Sequence, residues 1–108
     1  MKTYEGRREG YAVTVTVDGR WLDPRFDLYN HSPTGFEWGY GGSGPAQLAL
    51  AILADHLANN QQALNLYQRF KWAVVVGLPG KRWTLTTPEI DQVIQSIREQ
   101  EVAAESAG

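Results

Sequence analysis

The feature that most constrains this chain is Pro45–Leu57, PAQLALAILADHL, a helical segment that is apolar almost all round. Ala46, Ala49, Leu50, Leu53, Ala54 and Leu57 recur at helical spacing, and Leu48, Ala51 and Ile52 widen the stripe until little polar surface remains. A helix of this kind needs cover on several sides. In 108 residues, enough for one core, it must be the element that the others pack around. Its start is marked by Gly41-Gly42-Ser43-Gly44-Pro45, where proline suits a first helical turn and Ser43 or Gly44 suits the cap.

The covering elements follow along the chain. Tyr11–Val17 alternates Val13, Val15 and Val17 with Thr14 and Thr16, the period of a half-buried strand. Asp18-Gly19 predicts a type I′ hairpin, with Arg20-Trp21-Leu22 returning and Phe26–Tyr29 resuming the strand beyond Asp23-Pro24. Asn30–Gly35 is dense in turn formers, and Phe36–Tyr40 reads as a short third strand. Asn59-Asn60 separates the central helix from a second one over Gln61–Phe70, whose stripe is Ala63, Leu66, Tyr67 and Phe70. Lys71–Gly77 and Lys81–Thr86 read as a second hairpin turning at Gly77–Gly80. Thr86-x-x-Glu89 has capping-box spacing ahead of the stripe Ile90, Val93, Ile94, Ile97. The expectation is an α+β domain over residues 1–98: an antiparallel sheet of four or five strands with helices mainly on one face. Residues 99–108 read as an acidic, fraying tail.

Charge and composition exclude several functions. With Glu99, Glu101 and Glu105 in the tail, the first 98 residues carry ten bases against nine acids, so neither a nucleic-acid-binding stripe nor a strongly acidic DNA mimic follows from the charge. The absence of cysteine rules out a disulfide framework, a thiolate nucleophile and a Cys-based zinc site. No apolar run approaches the roughly 20 residues that span a bilayer, and the charged start MKTYEGRREG lacks the apolar region of a secretory signal. A cytoplasmic protein with no membrane association is expected.

The residues with most chemical content surround the start of the central helix. Backbone N–H groups at a glycine-lined helix start can hold an anion. Gly41, Gly42, Ser43, Gly44 and Gln47 would supply that grip, with Trp38 or Tyr40 stacking on a flat group. The other explanation is that the glycines only permit a tight connection beside bulky aromatics. No lysine follows them, so this is not a Walker loop, and no βαβ setting makes Gly39-x-Gly41-x-x-Gly44 a dinucleotide fingerprint. His31, Arg69, Lys71 and Arg82 are accessory candidates for an anionic ligand. A metal site from His31, Glu37 and His56 would have to be assembled by the fold, since neither histidine has a partner at ligand spacing. No catalytic motif or cofactor fingerprint is present.

The block Asn30–Leu53, NHSPTGFEWGYGGSGPAQLALAIL, resembles an uncharacterised family of small proteins carried by phages, plasmids and integrative elements. The likeness extends through Tyr67–Lys71 to Trp83–Thr86, about two thirds of the chain. The family brings no catalytic residues. It implies an accessory protein of a mobile element, acting in a bacterial cell and countering host defence by blocking a protein complex or sequestering a nucleotide signal. Two functions are therefore expected ahead of a small metal-dependent hydrolase. The first is a non-enzymatic module binding a phosphorylated, nucleotide-like ligand at Gly41–Gln47. The second is an inhibitor that binds a host protein through exposed aromatic and arginine side chains. A homodimer is compatible with either.

Overall fold

The structure, a computed structural model, describes residues 1–107, with side chains described through residue 104; the end of the acidic tail lies outside them. Strands β1 (Thr3–Glu9), β2 (Ala12–Val17) and β3 (Arg20–Trp21) lead through a long loop to helices α1 (Ser43–Leu57) and α2 (Asn60–Ala73). A 3-10 turn at Val75–Gly77, strand β4 (Arg82–Thr86) and helix α3 (Thr87–Ala107) complete the chain. The sheet is antiparallel, in the order β3-β2-β1-β4. It is the α+β architecture expected.

Local chemistry sets several boundaries as the sequence predicts. Asp18 and Gly19 take φ of 49° and 80°, and Val17 faces Arg20, so the first turn has the positive dihedrals of a type I′ hairpin. The Asn59 side chain accepts from the Gln62 amide at 3.0 Å and caps α2. Glu89 accepts from both the amide and the hydroxyl of Thr86, at 3.0 and 2.9 Å, and the first of these is the glutamate half of a capping box. α3 then runs on through the acidic stretch, where Glu101 pairs with Arg69 of α2.

One strand goes beyond the expectations, and three expectations are corrected. Thr3–Glu9 is a strand lying between β2 and β4, although its sequence has no β-branched run. Phe36–Tyr40 is irregular, with Gly39 at φ 86°. Lys71–Gly77 forms no strand: α2 continues to Ala73 and the 3-10 turn follows, so β4 pairs with β1 and the expected second hairpin is absent among the described residues. The apolar run Trp72–Val76 suits either a buried strand or a helix end, and packing of Phe70 and Val75 into the core decides for the helix. β3 is also short, because Asp23-Pro24 turns the chain and Phe26–Tyr29 forms no strand.

The inner face of the sheet presents Tyr4, Val15, Val17, Trp83 and Leu85 to α1, which is buried at every residue from Gly44 to Ala54. Tyr4 reaches α1 directly, donating its hydroxyl to Asp55 at 2.6 Å, while Lys2 pairs with the same carboxylate at 2.9 Å. Gly6 sits on this face opposite Trp83, and a Cβ there would lie 2.2 Å from the indole. Glycine therefore occupies a strand interior because the indole lies across it. Among the described residues no helix is long and apolar enough to cross a membrane.

Gly6→Ala should lower stability by about 1–3 kcal/mol through overpacking, read from a chemical denaturation curve. Combined with Trp83→Leu, the loss should be smaller than the sum of the two single losses. Additive losses would show that the indole does not set the glycine requirement.

Candidate functional site

α1 begins without the usual help. Its N-cap, Gly42, has no side chain to cap with, no acid occupies the first turn, and the Ala46 amide is bonded to the Gly42 carbonyl. Pro45 has no amide proton. The amides ahead of Ala46 therefore lie at the positive end of the helix with neither a capping side chain nor an acid in that turn.

The residues expected to grip a ligand here divide into two groups. Trp38 and Gln47 belong to the core. Trp38 is 2% exposed, donates its indole N–H to the Pro79 carbonyl at 2.9 Å, and packs edge-on against Trp83 with Arg8 over its ring. Gln47 is fully buried, and its amide clamps the preceding loop. Its oxygen accepts from the amides of His31 (2.8 Å) and Ser32 (3.3 Å), and its nitrogen donates to the carbonyls of Pro24 (2.6 Å) and Tyr29 (3.0 Å). Gly44 is buried against Glu37, where a Cβ would lie 2.6 Å from that of the glutamate. The Glu37 carboxylate is engaged by Arg8 through two bonds, at 3.0 and 2.6 Å, and this pairing holds its pKa below the ordinary range.

Tyr40, Gly41 and Ser43 remain exposed or half-buried, as does Gly42. The Tyr40 ring lies against Gly42, and the Trp72 ring against Gly41, where a Cβ would lie 2.4 Å from the indole. Trp72 is a site candidate that the sequence does not single out. Read as a strand, residues 71–77 give no reason to aim it at the glycines, and the extension of α2 to Ala73 does so.

The accessory candidates are likewise split. His31 and Lys71 come together beside α1. The His31 ring is stacked on Tyr29 at 4.2 Å, and its Nε2 bonds the Tyr67 hydroxyl at 2.6 Å. Burial, and then the nearby Lys71 charge, lower its pKa from the ordinary value. Lys71 is only 8% exposed, and its Nζ lies 4.5 Å above the centre of the Trp72 ring. Arg69 is engaged elsewhere, with Glu101 and the Asn65 carbonyl, and Arg82 faces Arg7 on the outer side of the sheet. His31, Glu37 and His56 are not gathered: they bond Tyr67, Arg8 and Asp91 respectively. Among the described residues no group of three or more His, Asp or Glu side chains could hold a metal ion.

A second region is marked by exposed aromatics. Trp21, 76% exposed, and the fully exposed Tyr11 flank a cavity of about 380 Å³ lined also by Val13, Val15, Leu22 and Phe36. In the β1–β2 ladder Val13 occupies a position whose N–H and C=O point away from β1. β3 pairs only as far as Thr16–Trp21, with one further bond from the Leu22 amide to the Val15 carbonyl, so Val13 has no strand partner on that side among the described residues.

Residues 4–96 match the model of DUF6166, a family of unknown function, and the chain belongs to that family. No curated protein and no solved structure matches it.

Gln47→Leu should destabilise the fold by about 2–4 kcal/mol, because it strands buried backbone groups of the loop. Denaturation would read the loss, and a change below about 1 kcal/mol would show that water takes over the clamp. For His31 the sign is set by its lowered pKa. Above about pH 6.5 both folded and unfolded states hold a neutral ring. Below that the unfolded chain binds the proton first, so stability falls with pH until the folded pKa is passed. An NMR titration of the His31 ring should give a midpoint below the ordinary value, moving upward in Lys71→Met.

Proposed function

We propose that this chain is a non-enzymatic accessory protein that docks onto a partner protein through the open edge of β2. The observation that carries this is Trp21, a tryptophan left 76% exposed beside a strand rung with no partner. Trp21 and Tyr11 both line a cavity that combines Val13, Val15, Leu22 and Phe36 with the polar Thr14, Thr34 and Glu37. Large aromatics of this kind dominate the binding energy of protein interfaces. A segment in extended conformation laid along β2 would pair its backbone with Val13 and set a side chain between the two aromatic rings, which is strand addition to a sheet edge.

The same proposal covers the biological setting. The block Asn30–Leu53 supports an accessory protein of a phage, plasmid or integrative element, and docking on a host complex would be its means of countering host defence inside the bacterial cell. Catalysis has less support, because the buried polar groups on α1 are consumed by its own loop.

Affinity capture from bacterial lysate, followed by titration of the captured partner, tests the docking surface. Trp21→Ala should cost about 2 kcal/mol, roughly 30-fold in Kd. Val13→Pro removes the outward N–H at an edge position where proline is tolerated, and should weaken binding with the circular dichroism unchanged. A partner held equally well by both variants would rule out this edge.

A further inference from the structure

We infer that the chain forms a two-fold dimer in which β4 pairs antiparallel with β4 of a second copy, joining the two four-stranded sheets into one. β4 is the edge of the sheet remote from β3. The bonds from the Arg8 amide to the Lys81 carbonyl (2.9 Å) and from the Thr87 amide to the Lys2 carbonyl (3.1 Å) fix the phase of its ladder with β1. Bonded residues alternate along an antiparallel pair, so Arg82, Thr84 and Thr86 turn their N–H and C=O groups away from β1. The Thr86 amide is taken by the Glu89 carboxylate at 3.0 Å, which closes that rung. Arg82 and Thr84 are exposed, and among the described residues no hydrogen bond reaches their outward backbone groups. Two open rungs with a carboxylate across the third admit only a short strand, and a second β4 offers the same two rungs.

Charge selects that occupant and sets its register. On the outer face Arg82 stands directly opposite Arg7, and Thr84 opposite Glu5. Like charges side by side on a sheet repel, and among the described residues neither Arg82 nor Glu5 has an ion pair. With Arg82 bonded to Thr84 of the second copy, both open rungs are used in both chains. The outer row then runs Arg7, Arg82, and Thr84 and Glu5 of the second copy, so the Arg82 side chain crosses one threonine to meet an acid. Pairing Thr84 with Thr84 instead would set the Arg82 carbonyl against the Glu89 carboxylate, two acceptors without a donor. The inner face is matched as well. Leu85 and Glu89 line, with Val74 and Val93, a cavity of about 460 Å³. In the proposed register Leu85 lies opposite the exposed Lys81 of the second copy, whose apolar stem would cover the leucine while its ammonium meets Glu89. This surface shares no residue with the β2 edge, so either can fail without the other.

The test is sedimentation equilibrium of the full chain over a range of concentrations, with amide exchange followed by NMR. The mass should rise to twice that of one chain, and the Arg82 and Thr84 amides should exchange more slowly as the dimer fills. Arg82→Glu sets two acids together and should weaken the dimer about tenfold or more, and adding Glu5→Arg should restore it. A role of Arg82 in folding alone predicts no such rescue. Thr84→Pro removes an outward N–H from each chain at an edge position where proline is tolerated. It should weaken association about tenfold with the circular dichroism unchanged. A monomer up to roughly 1 mM would show that the charges guard the edge, and would overturn the dimer. So would a dimer indifferent to Arg82→Glu and Thr84→Pro, or one that Glu5→Arg fails to restore.

Discussion

The structure depends on burying one helix on all sides. Eleven successive residues of α1, Gly44 to Ala54, are withdrawn from water, and the sheet, α2, α3 and the long loop are the surfaces that withdraw them. Leu48, Leu50, Ile52 and Leu53 each contribute roughly 1.5–3 kcal/mol when buried in this way. Such a helix has no face left for ordinary solvation. A polar side chain within it must find all its partners inside the protein, and Gln47 does so by holding the loop from Pro24 to Ser32 in place. The residue that looks most available for ligand recognition is thereby committed to the fold.

The same requirement explains where the polar pairs sit. Asp55, at the point where α1 approaches the sheet, collects Tyr4 and Lys2. Burial and the Asp55 bond raise the Tyr4 phenol well above its usual range, so it stays a donor at any ordinary pH. At the other end Arg8 holds Glu37 and also covers Trp38, which ties the irregular approach to α1 back to the sheet. Both pairs combine a cation from β1 or just before it with a carboxylate from α1 or its approach. The N-terminal strand therefore positions the helix that dominates the core.

Two of the four tryptophans serve that core and two do not. Trp38 and Trp83 meet edge to face beneath the sheet, and Trp83 lies across Gly6. Its indole N–H is the one polar side-chain atom, among the described residues, that is buried without a partner, which marks how closely the ring is confined. Trp21 and Trp72 stand in solvent on separate elements, each beside backbone that its neighbours leave unpaired or uncapped.

By itself, the amino-acid sequence determined the elements whose signals are local. These are the all-round apolar helix, the Asp18-Gly19 turn, the Asn59 cap and the Thr86–Glu89 box, because dihedral preference and hydrogen bonds to near neighbours act within a few residues. From them follow the α+β class and the central place of α1. Only the tertiary structure decided the rest. Thr3–Glu9 is a strand because Val13, Val15 and Val17 on one side and Trp83 and Leu85 on the other need a partner between them, a pairing invisible in its own residues. For Trp72–Val76 local preference is the same for strand and helix, and only the entry of Phe70 and Val75 into the core separates the two. The candidate site was legible as a place, the glycine-lined start of α1, but not as a set of side chains. Which aromatic ring lies over Gly41, and whether Gln47 faces outward, depends on contacts between residues tens of positions apart, and burial settles those contacts.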